Sequence, residues 1–162
     1  MGKNVEKCQK VVNLFVGRHI YSVDAKGRVA LPAKIKKYIN PEADNTIFMT
    51  KGLVECIEIY PQDHWKTEIM TRIDQLDDFV PEEASFKRLF LENVSEDNLD
   101  SQSRILIPKN LLEYAGIEKE VLVLGQDKKI ELWNPEKYEK YKEEFNSSYI
   151  DSAKQVMQKK PK

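Results

Sequence analysis

Short apolar segments separated by turn residues occur along most of the chain, and this pattern predicts β-strands. The first two predicted strands surround a tight turn, Asp-Ala-Lys-Gly, in which Gly27 provides the positive φ that such a turn often requires. Hairpins are predicted later in each half of the chain. The predicted strands are 20–23, 28–31, 46–50, 54–60, a strand ending at 99, 104–107, 120–124 and 129–133.

Apolar residues spaced three or four positions apart predict amphipathic helices in three other segments. Two shorter helices are expected to begin at Pro32 and Pro108, because proline suits the first turn of a helix; the second ends at Gly116. The C-terminal tail is polar and is expected to fray. The apolar faces are Trp65, Ile69, Ile73 and Leu76; Phe86, Leu89, Phe90 and Val94; and Tyr138, Tyr141 and Phe145.

The second half of the chain repeats the first. Asp, Arg, Pro and Tyr recur at one offset of 76 residues, as Asp24, Arg28, Pro32 and Tyr38 and then as Asp100, Arg104, Pro108 and Tyr114. Each half reads as strand, turn, strand, short helix, hairpin and helix. Because a solenoid needs at least about three repeats, the pattern predicts two half-units that pack together as an internal pseudo-dimer.

Length and composition suit one compact domain, or two halves that share a core. The chain has 162 residues, of which 41% are hydrophobic and 33% are charged. No apolar run approaches the roughly 18–20 residues of a membrane span. Cys8 and Cys56 are far apart and lack metal-ligand spacing, so we expect no metal, no cofactor and a reducing compartment.

The charge is unevenly distributed, although the net charge is only −1. Residues 1–40 hold nine Lys and Arg but only two acidic residues. This distribution has two interpretations: a polyanion partner such as nucleic acid, or a solvent-exposed basic face without a partner.

The two Asp-x-x-x-Arg turns are the strongest candidates for a functional site. We expect Asp24 and Asp100 to clamp their turns by accepting hydrogen bonds from the backbone and the arginine. Arg28 is the better candidate for contacting phosphate or guanine, because lysines lie beside it at 26, 34, 36 and 37. The second turn has acidic neighbours at 96 and 97, so we expect a mainly architectural role there, with Arg104 as an auxiliary.

Enzymatic chemistry has little support in the sequence. His19 and His64 lack metal-ligand spacing, and no nucleophile–histidine signature or glycine-rich phosphate loop is present. We therefore expect no catalytic residue, no small-molecule substrate and no metal site.

The ordered set of motifs resembles the MraZ family of bacterial regulators. The set consists of the two turns, each followed by an apolar-x-apolar-Pro strand end, and four further segments. The resemblance spans about residues 14–149. The further segments are Phe-Val-Gly at 15–17, Phe-Lys-Arg-Leu-Phe at 86–90, Val-Leu-Val-Leu-Gly-Gln at 121–126 and Ile-Glu-Leu-Trp at 130–133.

The resemblance implies an α+β fold: an AbrB-like swapped-hairpin or double-psi β-barrel built from the two repeats, with amphipathic helices outside. It also implies a ring-shaped homo-oligomer larger than a dimer. Such a ring binds short direct repeats in double-stranded DNA and regulates the division and cell-wall gene cluster that contains its own gene. The expected location is the cytoplasm and the nucleoid.

Site residues and domain limits follow from the same resemblance. Arg28 is the expected DNA contact, with Lys26 and Gly27 in the same turn. The limits are a basic flexible leader at 1–13, a first half at 14–80, a linking helix with the second half at 81–149, and a polar tail at 150–162. Further candidate DNA contacts are Lys34, Arg18 and Arg104, and the residues expected to be structural are Asp24, Asp100, Pro32 and Pro108.

Two other functions stay open. One is a dimeric AbrB-type regulator or an antitoxin, although antitoxins usually carry one barrel unit and a disordered tail. The other is a scaffold ring that binds proteins and no DNA.

Overall fold

The fold of this chain is given by a computed structural model that describes residues 14–37, 39, 45–145 and 148–158. These residues form eight strands and seven α-helices, and a π-helical segment, Trp65–Ile69, joins the second helix to the third. The strands are β1 (Arg18–Ser22), β2 (Arg28–Ala30), β3 (Thr46–Lys51), β4 (Ile57–Pro61), β5 (Ser95–Asn98), β6 (Arg104–Leu106), β7 (Glu120–Gln126) and β8 (Lys129–Trp133). The helices are α1 (Ala33–Lys36), α2 (Gln62–His64), α3 (Met70–Asp74), α4 (Pro81–Glu92), α5 (Lys109–Ala115), α6 (Pro135–Glu144) and α7 (Tyr149–Met157).

The two halves exchange strands with each other. A six-stranded antiparallel sheet has the order β1-β7-β8-β4-β3-β5, and β2 pairs with β6 in a separate two-stranded ribbon. Thus β1 of the first half pairs with β7 of the second, and β5 of the second half pairs with β3 of the first. This exchange confirms the predicted internal pseudo-dimer and the AbrB-like swapped-hairpin fold.

The sheet order reads the same when the two copies are interchanged. Equivalent residues meet at its centre, where Glu58 pairs with Glu131, and at the centre of the ribbon, where Val29 pairs with Ile105. The molecule therefore has a pseudo-two-fold axis through both pairs.

The main core lies between one face of the large sheet, the ribbon and the two short helices. Val29 and Ile105 from the ribbon and Leu111 from α5 are at most 1% exposed, so burial of these apolar side chains stabilises the junction of the halves. The core also contains Leu31, Ile35, Ile47, Met49, Ile57, Ile59, Ile107, Val121, Val123, Ile130 and Leu132.

A second apolar layer covers the other face of the large sheet. Trp65 stacks on Phe48 and on Phe90, with ring centroids 5.0 Å and 5.9 Å apart. On the second half, Trp133 packs against Tyr138 and Tyr141 of α6. The equivalent aromatic residues Tyr60 and Trp133 are both buried, as the repeat predicts.

Several predicted elements differ from the observed ones. The hairpin of β3 and β4 is confirmed, but its second strand begins at Ile57 and not at residue 54. The short helix after Pro32 ends at Lys36, whereas the one after Pro108 ends at Gly116, whose φ of +66° confirms the predicted cap. The leader, Cys8 and Tyr38 lie outside the described residues.

Two predictions about helices were wrong. Residues 149–157 form α7, and not a frayed tail, because the Ser148 side chain accepts a hydrogen bond from the Asp151 N–H and caps the helix. The apolar face assigned to α4 is only partly covered: Phe86 is 44% exposed and Leu89 is 57% exposed, and only Phe90 reaches Trp65.

Candidate nucleic-acid interface

The first Asp-x-x-x-Arg turn is held by its own aspartate. Asp24 Oδ1 accepts from the backbone N–H groups of Lys26 and Arg28, at 2.9 Å and 2.8 Å. Asp24 Oδ2 accepts from Arg28 Nε at 2.8 Å. The Gly27 N–H bonds the Asp24 carbonyl at 3.0 Å, and Gly27 takes a φ of +85°. The predicted clamp is therefore present.

The second turn repeats this geometry. Asp100 Oδ1 accepts from the N–H groups of Gln102 and Arg104 at 2.8 Å and 2.9 Å, and Oδ2 accepts from Arg104 Nε at 2.8 Å. Ser103 replaces the glycine, yet it adopts the same left-handed conformation, with a φ of +59°. The second turn thus keeps the shape of the first without the glycine.

These contacts favour the charged form of both aspartates. The hydrogen bond from the Arg28 backbone N–H, joined by the Arg28 side chain, lowers the pKa of Asp24 below its ordinary value. The Arg104 backbone and side chain lower the pKa of Asp100 in the same way. Both carboxylates are therefore ionised at neutral pH and can keep their arginines in place.

Each arginine uses only part of its guanidinium in the clamp. Nε is bonded to the aspartate, and among the described residues no acceptor bonds the terminal nitrogens of Arg28 or Arg104. About a third of each arginine side chain is exposed, 35% in both cases. The terminal N–H groups form a fixed fork that suits phosphate or a guanine edge.

The ribbon places both arginines on one face. In its ladder Arg28 lies opposite Leu106, and Ala30 lies opposite Arg104. Because Val29 and Ile105 point into the core, the other four side chains point outward. Arg28 and Arg104 are therefore diagonal neighbours, about 7–8 Å apart at the backbone. The sequence analysis treated the two turns as separate sites, whereas the structure joins them on one surface.

Each turn also rests on the opposite half. The Leu31 N–H bonds the Ser103 carbonyl at 2.8 Å, and the Ile107 N–H bonds the Gly27 carbonyl at 3.0 Å. A Cβ at Gly27 would lie 3.2 Å from the Ile107 carbonyl oxygen. The two turns thus support each other through the backbone.

The basic residues near the ribbon belong to the first half. Lys26 lies exposed in the first turn, and Lys34 lies exposed in α1, directly after β2. Pro32 and Pro108 precede α1 and α5, and their carbonyls accept hydrogen bonds from the first turns of these helices. The two prolines thus fix where each ribbon strand ends.

One acidic group lies where the sequence did not indicate it. Asp97 Oδ2 accepts from the Leu106 backbone N–H at 2.8 Å. Because the ribbon is antiparallel, this carboxylate stands at the end of β6 that lies opposite Arg28. The acidic neighbours of the second turn are therefore not confined to Arg104.

Arg18 has a different environment. It begins β1, at the end of the strand away from the Asp24 turn, and its guanidinium bonds Glu139 of α6 at 3.2 Å. It also lies 5.9 Å from the ring centre of Tyr138. The structure does not bring Arg18 to the face that carries Arg28 and Arg104.

The described residues contain no other arrangement that indicates catalysis. Within them, no group of three or more His, Cys, Asp or Glu side chains could hold a metal ion. His64 stacks on Tyr60, and burial lowers the pKa of its ring, which suits a packing role. No helix in the described part of the chain has the length and apolar character needed to span a membrane.

The ribbon face could have been found from the sequence, because one offset relates both arginines and both strands. If β2 and β6 meet about a two-fold axis, equal spacing makes Arg28 and Arg104 share a face. Leu106, which is exposed between them, was missed because it reads as an ordinary strand residue.

Two half-units that exchange strands around one barrel, each with an arginine turn clamped by aspartate, define a tandem barrel of the AbrB-like class. Residues 14–89 and 90–160 each match the family described as "MraZ protein, putative antitoxin-like". The chain therefore belongs to the MraZ family.

Curated relatives match over most of their length. A protein of Natranaerobius thermophilus is 37% identical over 144 residues, which cover 89% of this chain and 97% of the relative. One of Cytophaga hutchinsonii is 35% identical over 147 residues, covering 90% and 96%. Both relatives are named "Transcriptional regulator MraZ".

Proposed function

We propose that this chain is a DNA-binding transcriptional regulator, and not an enzyme, that contacts DNA with the outward face of its β2–β6 ribbon. The observation that carries the proposal is the pair of clamped arginines on that face, whose terminal N–H groups have no acceptor among the described residues. The names of the relatives support the regulatory role.

The residues of the site have different proposed roles. Arg28 and Arg104 reach base edges or phosphates, while Lys26 and Lys34 contact phosphates and raise affinity without reading sequence. Gly27 allows the backbone of the first turn to approach the opposite half closely. Arg18 contributes only if its ion pair with Glu139 opens.

We also propose that the chain assembles into a closed ring larger than a dimer. One ribbon face neutralises few phosphates, so a monomer would bind weakly at physiological salt. Repetition of the face around a ring raises the effective concentration of each further contact. Apolar surface for such contacts is present on α4, at Phe86 and Leu89, and on α7, where Ile150 and Val156 are 64% and 61% exposed.

A ring also determines the form of the operator. Subunits related by rotation about one axis present their ribbons in the same direction, so the proposed operator contains short direct repeats. Repeats spaced by about one helical turn, roughly 10–10.5 bp, bring each ribbon to the same groove. The proposed target is the promoter of the division and cell-wall gene cluster that contains the chain's own gene, and the proposed location is the nucleoid in the cytoplasm.

The experiment is a binding series on duplexes made from the DNA upstream of the chain's own gene. Three versions are compared: repeats in phase, repeats displaced by about half a turn, and inverted repeats. We expect the tightest binding to the in-phase direct repeats, and affinity that falls steeply with salt.

The alternatives give different results. Preference for inverted repeats would favour the dimeric AbrB-type or antitoxin function, and absence of binding would favour a scaffold ring. Light scattering on the same samples tests the assembly, because a monomer or dimer at micromolar concentration contradicts the ring.

A further inference from the structure

We propose that Leu106 recognises a thymine through its 5-methyl group and thereby helps to set the sequence preference of the ribbon. This inference rests on the proposed DNA-binding function and adds a specificity residue to it. Leu106 was not among the residues that the sequence indicated.

The position of Leu106 follows from the register of the ribbon. Leu106 lies directly opposite Arg28 and two residues from Arg104 on the same strand. Its neighbour Ile105 is 1% exposed and points into the core, whereas Leu106 is 52% exposed. Leu106 therefore stands on the outward face, between the two arginines.

The outward face combines two kinds of side chain that read bases. Its pseudo-symmetric pairs are Arg28 with Arg104 and Ala30 with Leu106, each related by the 76-residue offset. A two-stranded ribbon fits the major groove, where arginine bonds guanine and an apolar side chain contacts the thymine methyl. The diagonal spacing of about 7–8 Å corresponds to about two base-pair steps of 3.4 Å.

The neighbouring charge favours a base over a phosphate at Leu106. Asp97 bonds the Leu106 N–H, so a carboxylate stands directly beside this position. A carboxylate repels phosphate, whereas the base edges in the floor of the groove carry no net charge. The end of the ribbon at Leu106 is therefore suited to the interior of the groove.

The pseudo-symmetry is broken at this point of the face. Ala30 offers one methyl group where Leu106 offers a branched side chain, so the two ends of the ribbon differ in the apolar surface that they present. We expect the thymine requirement to be stronger at the end read by Leu106, and this difference to orient the protein on its site.

The test uses a duplex that the wild-type protein selects from random-sequence DNA. Each thymine is replaced in turn by deoxyuridine, which removes only the 5-methyl group. We expect one replacement near the arginine-contacted guanines to weaken wild-type binding about three- to fivefold, the value for one buried methyl-sized group. Leu106→Ala should bind the thymine and deoxyuridine versions of that duplex equally.

Two further variants complete the design. Leu106→Met keeps the apolar volume and should keep most of the sensitivity to deoxyuridine. Leu14→Ala is the matched control, because Leu14 is 45% exposed and precedes the bridge between Phe15 and Asp127, at the β7–β8 hairpin. It should behave like the wild type.

The outcomes separate this inference from the proposed function. If the wild type selects no DNA, both fail. If it selects a duplex in which no thymine is sensitive to deoxyuridine, or if Leu106→Ala keeps the same sensitivity, the thymine contact is wrong and the DNA-binding function stands.

Discussion

The two Asp-x-x-x-Arg turns have the same backbone and different surfaces. Corresponding hydrogen bonds of the aspartates differ by no more than 0.1 Å between Asp24 and Asp100. The charges around them do not correspond: Lys26, Lys34, Lys36 and Lys37 stand where the second half has Gln102, Asn110, Leu112 and Glu113. The fold thus depends on the aspartate, the arginine and the proline, while the lysines are free to vary.

The antiparallel ribbon then brings these unequal turns onto one surface. Because Arg28 and Arg104 are diagonal neighbours, the second turn adds to the face formed by the first. The comparison therefore concerns unequal contributions to one site.

Exchange of each arginine for alanine gives the largest expected difference between the turns. We expect Arg28→Ala to weaken specific DNA binding by about 1–3 kcal/mol and Arg104→Ala to weaken it less. The physical reason is that lysines next to Arg28 hold the phosphates close, whereas the second turn has no such neighbours. Fluorescence anisotropy with a labelled operator measures both affinities.

Each arginine variant serves as the structural control of the other. Both lose the same Nε–aspartate contact at 2.8 Å from an equally exposed side chain, so their thermal midpoints should fall equally. Equal losses of affinity would contradict the ranking of the two turns. Normal binding by Arg28→Ala would contradict the site itself.

Much of the fold was predictable from the sequence because the repeat is regular. The offset of 76 residues fixed the equivalence of the turns, the prolines and the short helices, and alternating apolar residues located β8 at residues 129–133. The strand partners were not derivable from spacing, because a swapped and an unswapped hairpin bury the same residues.

The helices show where sequence patterns mislead. Phe86 and Leu89 have the spacing of a buried face, but the pattern does not say whether a surface is covered within the chain or by another molecule. For α7, Ser148 and Asp151 give the signals of a helix start, and the many lysines of the tail outweighed them. The π-helical segment after His64 has no sequence signal that we can identify.

Exchange of the residue with positive φ sharpens the comparison of the two backbones. We expect Gly27→Ser to reduce the free energy of unfolding by about 1–2 kcal/mol, since a side chain at φ +85° is strained and its Cβ meets Ile107. Ser103→Gly relieves the same strain but gains flexibility when unfolded, so its effect should stay within about 1 kcal/mol. Urea denaturation measures both, and equal losses would show that the two turns do not share the left-handed conformation.

The smallest expected effect concerns acid, and it tests whether the two clamps are electrostatically alike. The pKa values of Asp24 and Asp100 are both lowered by hydrogen bonds from their arginines, so each carboxylate binds protons less readily in the folded state. The stability that they contribute is therefore present above the ordinary aspartate pKa, about 3.9, and is lost as pH falls through the lower folded values. We expect Asp24→Asn and Asp100→Asn each to be slightly less stable than the wild type at neutral pH, and each to lose less stability on acidification, because an amide does not titrate. Thermal unfolding between about pH 2.5 and pH 6 measures these slopes, with Asp78→Asn on an exposed surface pair as the control. Since the contacts of the two aspartates match, the two variants should give the same slope; a flatter slope in only one of them would mean that the surrounding charges, and not the shared hydrogen bonds, determine the titration.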